Sequence, residues 1–266
     1  MSVQITTAFV EQYKSNVFHL AQQKGSRLRD AVRTETVTGK SHFFERIGST
    51  SAQKRTSRHS DTPRVDTPHS RRKVSLEDYD WADLIDQEDK VRLLISPQSE
   101  YALAGAWAMG RAMDDAIISA ATGNALGGVS GGTTIALPSA QKVAHGSAGL
   151  TLAKLLSAKE ILDKNDTDPD EPRYMLVTAG QLADLLGITS VTSADFNSVK
   201  ALVQGDVDTF LGFNFIRTER LGLDSDSNRQ VLGFCQSAIG LAIGADVTTK
   251  ISERADKNYA TQVFLS

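Results

Sequence analysis

Residues Gly128-Val129-Ser130-Gly131-Gly132 have the G-x-S-x-G spacing that lifts a nucleophilic serine above a sheet for acyl transfer. That chemistry also needs an acid and a histidine later in the chain, on an elbow that joins a strand to a helix. His145 is the one histidine after Ser130, no Asp or Glu lies between them, and no strand is read ahead of Gly128. The segment reads as a loop. A second acidic run, "DKNDTDPDEP", offers Asp163, Asn165 and Thr167 at alternating positions, as a calcium loop would. Asp168 stands where such a loop requires glycine, so this run reads as a helix end followed by an acidic, proline-containing turn. The five histidines (His19, His42, His59, His69, His145) show no H-E-x-x-H pairing, and Cys235 is the single cysteine. Neither a zinc site nor an intrachain disulfide is expected, and phosphate-cradling glycine motifs are absent from the sequence.

The stretch "GDVDTFLGFNFIRTERL" holds Asp206 and Asp208, which could act as acids only with a partner acid cluster or histidine that the sequence does not supply. Gly205 instead reads as a helix stop after "SADFNSVKALVQG", which Ser193 would cap. Phe213 and Phe215 alternate as on a strand buried mainly on one face, and Gly212 permits a bend. No catalytic residue, cofactor or metal is expected, and the chain reads as a non-enzyme.

The elements around these segments carry more information. With 266 residues, 40% hydrophobic, the chain is long enough for one large domain or two smaller ones. Its net charge of −3 gives no global signal for nucleic acid or membrane, and no apolar run reaches the ~20 residues of a membrane span. A soluble protein of a reducing compartment is expected. "TLAKLLSAKEILDKN" and "GQLADLLG" read as helices, and "RYMLVTA", "FNFIRTE", "QVLGFCQ", "TTKISERA" and "YATQVFLS" as strands. Without regular βαβ repetition, the class is α+β. The longest helix is predicted over residues 97–122: Ser96 caps it, Pro97 starts it, Gly123 stops it, and Ala102, Ala106, Met109, Met113, Ile117 and Ala120 form its apolar stripe. Trp81 and Trp107 read as core anchors.

Charge is distributed unevenly. From Arg27 to Lys73 there are twelve Lys or Arg against five Asp or Glu; from Glu77 to Asp115 there are three against ten. Residues 37–73 contain six hydrophobics in 37 positions, too few to offset the entropy of ordering them alone. With strand-like flanks, "TETVTGKSHFFERIG" and "RRKVSLEDYDWADLI", this reads as an oversized hairpin, a functional excursion or, on composition alone, a solvated floppy loop. Its basic runs "KRTSR" and "SRRK" lack interleaved aromatics, so they do not make a base-stacking platform.

Residues 61–128 carry a recognisable order: D-T-P, an H-x-R-R pair, D-Y-x-W-A-x-L-I-D, P-x-S-x-Y, then A-M-G-R-A-M-D-D. This order resembles the major capsid proteins of tailed bacteriophages, as do "LAQQKGSRLRDAV", "FFERIG", "GFNFIRTERL" and "ADKNYATQVFLS". The resemblance implies the tailed-phage major capsid fold: an N-terminal arm (1–33), an extended β-hairpin loop (34–80), a peripheral domain (81–148) with a spine helix (97–122), an axial domain (149–244) and return strands of the peripheral domain (245–266). It also implies a further strand and short tail after "YATQVFLS", where this sequence ends. The implied function is structural: self-assembly into hexamers and pentamers of an icosahedral head that encloses double-stranded DNA, contacted non-specifically. Portal, scaffold and decoration proteins are the other implied partners, and no membrane is involved. The implied location is the virion, after assembly in the host bacterial cytoplasm. An encapsulin-like compartment would share the fold but enclose cargo enzymes, and a soluble esterase built on Ser130 is the remote third reading.

The charge pattern suggests how copies could find their register. Arg71, Arg72 and Lys73 on the hairpin are expected to face Asp78, Asp80, Asp83, Asp86, Glu88 and Asp89 of a neighbouring copy. Exposed pairs are each worth roughly 0–1 kcal/mol, so their collective effect is on docking orientation.

Overall fold

The computed structural model describes residues 22–59, 61–62, 64–86, 98–165, 167–187 and 209–266. Strands β1 (Arg33–Thr36), β2 (Ser41–Ile47), β3 (His69–Ser75) and β4 (Trp81–Ile85) precede the long helix α1 (Gln98–Thr122). Then follow β5 (Ala125–Gly127), β6 (Thr133–Ile135), α2 (Leu152–Lys164), β7 (Arg173–Val177), α3 (Ala179–Leu186), β8 (Thr209–Phe210), β9 (Phe213–Arg217), β10 (Leu232–Cys235), β11 (Gly240–Ile243), β12 (Thr249–Arg254) and β13 (Ala260–Leu265). The helices and strands read from the sequence between residues 33 and 186 and after 209 are all present. The helix expected over "SADFNSVKALVQG", together with Asp206, Asp208, Ser96, Pro97 and His19, lies outside the described residues.

The chain forms two compact units. The first takes the described residues of Met1–Arg27, Glu77–Asp114 and Ala245–Ser266; the second takes Leu28–Leu76 and Asp115–Gly244. The chain passes from one to the other within α1, between Asp114 and Asp115.

In the first unit, β12, β13 and β4 make an antiparallel sheet in that order. Its core is Ile85, Val263 and Leu265, with Trp81 and Ala102 packed against it. Trp81 is therefore a core anchor. α1 comes close to this sheet at Gly105, where a Cβ would lie 2.6 Å from Trp81 Cε3 and 2.7 Å from Leu265 Cδ1. A second helical glycine, Gly110, meets the preceding chain backbone to backbone: a Cβ there would lie 2.5 Å from Gly25 C and from Ser26 N. Glycine inside a helix costs about 1 kcal/mol relative to alanine; at these two positions it permits contacts that no other residue allows. The buried face of α1 runs through Gly105, Met109, Gly110, Asp114, Ile117 and Ile118. This corrects the predicted stripe, because Ala106 and Ala120 are exposed and a carboxylate lies in the buried face.

Among the described residues, the second unit holds three sheets. β1 and β11 form a parallel ribbon, β10-β7-β9-β8 a mixed four-stranded sheet, and β2-β3-β5-β6 an antiparallel one. β7 is covered on both faces. Leu176 joins Leu28, Ala31, Val32, Ile117, Ile118, Leu221 and Phe234, while Met175 and Val177 join Leu150, Leu155, Leu185 and Phe213. Its unbroken apolar run, "YMLV", is what burial on both faces demands.

β9 departs from its predicted one-sided burial. Phe213 and Phe215 face the second cluster, but Ile216 packs against the first. β8 and β9 are joined by Leu211 and Gly212, both with positive φ (53° and 83°). Two such residues make the primed turn that matches the twist of a tight hairpin, so Gly212 is a turn residue.

The elbow reading also needs correction at one point. A strand, β5, does lead into Gly128, but the chain returns as β6, pairing Gly127 with Thr133. A strand-to-strand return offers Ser130 no helix N-terminus, so the elbow is absent all the same.

Candidate functional site

The candidate site is the hairpin of β2 and β3, paired over seven residues from Ser41↔Ser75 to Ile47↔His69. Above that register Gly48 N donates to Pro68 O at 2.8 Å, closing the neck. Every described residue from Glu45 to Ser70 is exposed, including Ile47 at 70%. In the loop, Arg55 Nε donates to Ser57 O at 2.8 Å and its Nη2 to Arg58 O, so this guanidinium shapes its own turn.

Strand alternation divides the basic run. Successive side chains on β3 point to opposite faces. Register then places Arg71 and Lys73 with Phe43, Glu45 and Leu126, and Arg72 with Phe44 and Gly127. Arg71 pairs within the chain with Glu45, Nη2 to Oε1 at 3.0 Å, and its guanidinium lies 5.3 Å from the Phe43 ring centre. Arg71 Nη1 also donates to Val129 O at 3.4 Å. The stem of Lys73 runs across Gly131, where a Cβ would lie 2.4 Å from Lys73 Cδ. Arg72 Nη1 donates to Arg71 O at 3.4 Å and lies 3.0 Å from where a Gly127 Cβ would be. The three cations therefore offer two separate faces.

The acids belong to the first unit. Asp78, Asp80 and Asp86 are exposed. Asp83 lies on β4 opposite Val263, and its Oδ1 accepts from Leu84 N at 2.8 Å. Glu88 and Asp89 lie outside the described residues. The sequence reading missed Glu45 as Arg71's in-chain partner. The antiparallel register supplies that pairing, and it could not be read across so long an excursion.

The other chemistry-bearing residues are committed to structure. Asp163 accepts from Arg173 Nη1 at 2.6 Å and from Lys159 Nζ at 2.7 Å, and these bonds, Lys159's foremost, hold its carboxyl below the usual range. Burial pushes the Cys235 thiol up, with Glu171 adding to the effect, which disfavours the reactive thiolate. Trp107 is half-buried, with Lys24 Nζ 5.6 Å from its ring centre. Among the described residues no group of His, Cys, Asp and Glu could hold a metal ion, and no helix is long and apolar enough to cross a membrane.

The profile of the family described as phage capsid protein matches residues 5–266. Among solved structures, the chain is similar to the capsid structure of cyanophage P-SCSP1u, with TM-score 0.72, 19% identity, and coverage of 98% of this chain and 88% of that one. It is also similar to the capsid asymmetric unit of cyanophage Pam1 (TM-score 0.69, 14% identity, 97% and 90% covered) and to a structure from Mycobacterium phage Che8 (0.68, 16%, 96% and 89%). At these identities the likeness establishes the fold, which is that of tailed-phage capsids. No curated protein matches the chain.

Proposed function

The chain belongs to the phage capsid protein family, a major capsid shell protein and not an enzyme, and from that premise we propose how its copies meet. The β2–β3 hairpin is the segment that reaches a neighbour. The observation that carries this is its exposure from Glu45 to Ser70, with almost no apolar residue turned inward. Ordering these 26 residues costs on the order of 25–50 kcal/mol of backbone entropy, and this segment buries too little of its own chain to offset it. Burial against a second copy would supply the difference.

In this reading residues 1–33 form the arm, 34–80 the extended loop, 81–148 with 245–266 the peripheral domain, and 149–244 the axial domain. Hexamers and pentamers of the chain close an icosahedral head around double-stranded DNA, assembled in the bacterial cytoplasm with portal, scaffold and decoration proteins as further partners. The cations of β3 steer docking toward the acids at Asp78, Asp80, Asp83, Asp86, Glu88 and Asp89 of the neighbour. Arg71 and Lys73 serve one contact and Arg72 another, since they sit on opposite faces of the strand.

Microscopy of the expressed chain is the primary test: closed, uniform particles are expected, and monodisperse monomers would count against the reading. The triple variant Arg71→Glu, Arg72→Glu, Lys73→Glu tests the steering. Three exposed pairs at ~0.5 kcal/mol each amount to about a tenfold weakening of one contact. The variant should stay soluble and assemble only at higher protein concentration, with a smaller deficit at high salt. Shells that sediment as the parent's do at every concentration would remove the basic run from the mechanism.

A further inference from the structure

β11 bears no side chain at Gly240, and the ring of Phe44 stands on that bare backbone: a Cβ on Gly240 would lie 2.8 Å from Phe44 Cζ and 2.9 Å from Cε1. Gly240 is also the register partner of Arg33 in the β1–β11 ribbon. The guanidinium of Arg33 lies 5.3 Å from the centre of the same ring, and the His42 ring meets it edge-on at 5.1 Å. Glu35 accepts from Arg33 and lies 3.3 Å from His42 Nε2, so it ties β1 to the first residues of β2. The ring is thus held by both the ribbon and its own strand. A second glycine just past β11 repeats the device. A Cβ on Gly244 would lie 3.0 Å from Leu76 Cδ1, and Leu76 N donates to Lys40 O at 3.1 Å across the base of the hairpin.

We propose that Gly240 and Phe44 form the positioning joint of the hairpin. The contact of the ring with uncovered backbone sets the angle at which the hairpin leaves the ribbon, and with it the curvature at which neighbouring copies meet. This rests on the reading that a neighbour covers the hairpin. The sequence fits the role: glycine in a strand gives up side-chain packing and marks close approach of another group to the backbone, and at the first position of β11 a ring from the hairpin makes that approach. A Cβ at Gly240 would need about 1 Å of added room to reach ordinary contact distance. Phe44 lies four residues beyond Lys40, about 13 Å along the strand, so a lift of that size tilts the hairpin by roughly 4°. Repeated at every copy of a closed ring, that tilt alters how the ring closes.

The test uses the full chain with Gly240→Ala, Phe44→Leu and the two combined, assembled side by side. Particle diameters are measured by electron microscopy and subunit stability by thermal unfolding. Gly240→Ala is expected to displace or broaden the diameter distribution. Leucine lacks the ring end that the new Cβ meets, so the double variant is expected to return toward the parental distribution. That rescue decides the case even if Gly240→Ala also lowers the subunit's melting temperature. Parental particles from Gly240→Ala overturn the proposal, and so does a defect that the double variant leaves uncorrected. A chain lacking residues 49–67 tests the underlying reading separately. Parental shells from that deletion would remove the hairpin from the contacts between copies, whereas their loss together with an inert Gly240→Ala would retire only the joint.

Discussion

Replacing Asp114 with alanine is expected to destabilise the first unit by about 3–4 kcal/mol, more than any other single polar substitution in α1. Asp114 is fully buried, and its carboxylate gathers the chain that precedes the fold. Ser26 Oγ donates to Oδ1 at 2.6 Å, Arg27 N donates to both oxygens at 3.2 and 3.1 Å, and Gln23 Nε2 donates to Oδ2 at 2.5 Å. Alanine would take the shared acceptor from these part-buried donors, and a hydrogen bond to a charged group contributes about 1.5–3 kcal/mol. Asp114→Asn keeps the shape but turns an amide N–H toward donors, so it recovers only part of the loss. The neighbouring residue is the internal control. Asp115 meets Arg220, Nε to Oδ1 at 2.6 Å, but its side chain is 48% exposed and the loss of an exposed pair costs at most about 1 kcal/mol. Denaturant unfolding of the dissociated subunit should rank the variants Asp114→Ala, Asp114→Asn, Asp115→Ala from worst to mildest. Trypsin should cut at Lys24 and Arg27 faster in Asp114→Ala. Equal midpoints for Asp114→Ala and Asp115→Ala would show that the buried carboxylate does not anchor residues 22–27.

The ranking of these two acids marks where the sequence stops being legible. "AMGRAMDD" presents two adjacent aspartates that look alike, and a helical stripe drawn through the apolar residues passes both by. What separates them is the glycine one turn earlier. Gly110 brings residues 25 and 26 against the helix, and Asp114, one turn further on, receives their donors. Period and composition locate helices and strands because burial of a face imposes a repeat. They located α1, α2, β7, β9 and the two arms of the hairpin in that way. A long-range backbone crossing imposes no repeat, so the functions of Gly105, Gly110 and Gly240 were invisible until the partners were in place. The charged site shows the same division. The excess of cations before residue 73 and of acids after residue 77 is plain in the sequence. That Arg71 and Arg72 point to opposite faces depends on strand register, and Arg71's claim on Glu45 depends on how a 21-residue excursion closes at Gly48 and Pro68.

Phe213→Ala carries the second large effect, about 3–5 kcal/mol, located in the second unit. The ring is fully buried, opposite Phe210 across the tight β8–β9 turn, among Leu150, Leu155, Met175, Val177 and Leu185. These neighbours come from β7, both short helices and the loop before α2, so the cavity cannot be closed by moving one element. Incomplete collapse is what makes a core truncation cost more than the transfer of its atoms alone. Phe215 faces the same cluster but is only half-buried, and Phe215→Ala is expected to cost about half as much, in proportion to the smaller apolar area it removes. Hydrogen exchange of the unassembled subunit resolves the two units: Phe213→Ala should accelerate exchange in β7 and β9 and leave β4 and β13 at parental rates. A loss below about 1 kcal/mol, or acceleration spread evenly over both units, would contradict the placement of this ring at the centre of the second core. The two aspartates beside it in the sequence invite a catalytic reading, but the buried phenylalanine explains the stretch. A ring held by β7, both short helices and the loop before α2 keeps the sheet that carries β9 in one conformation.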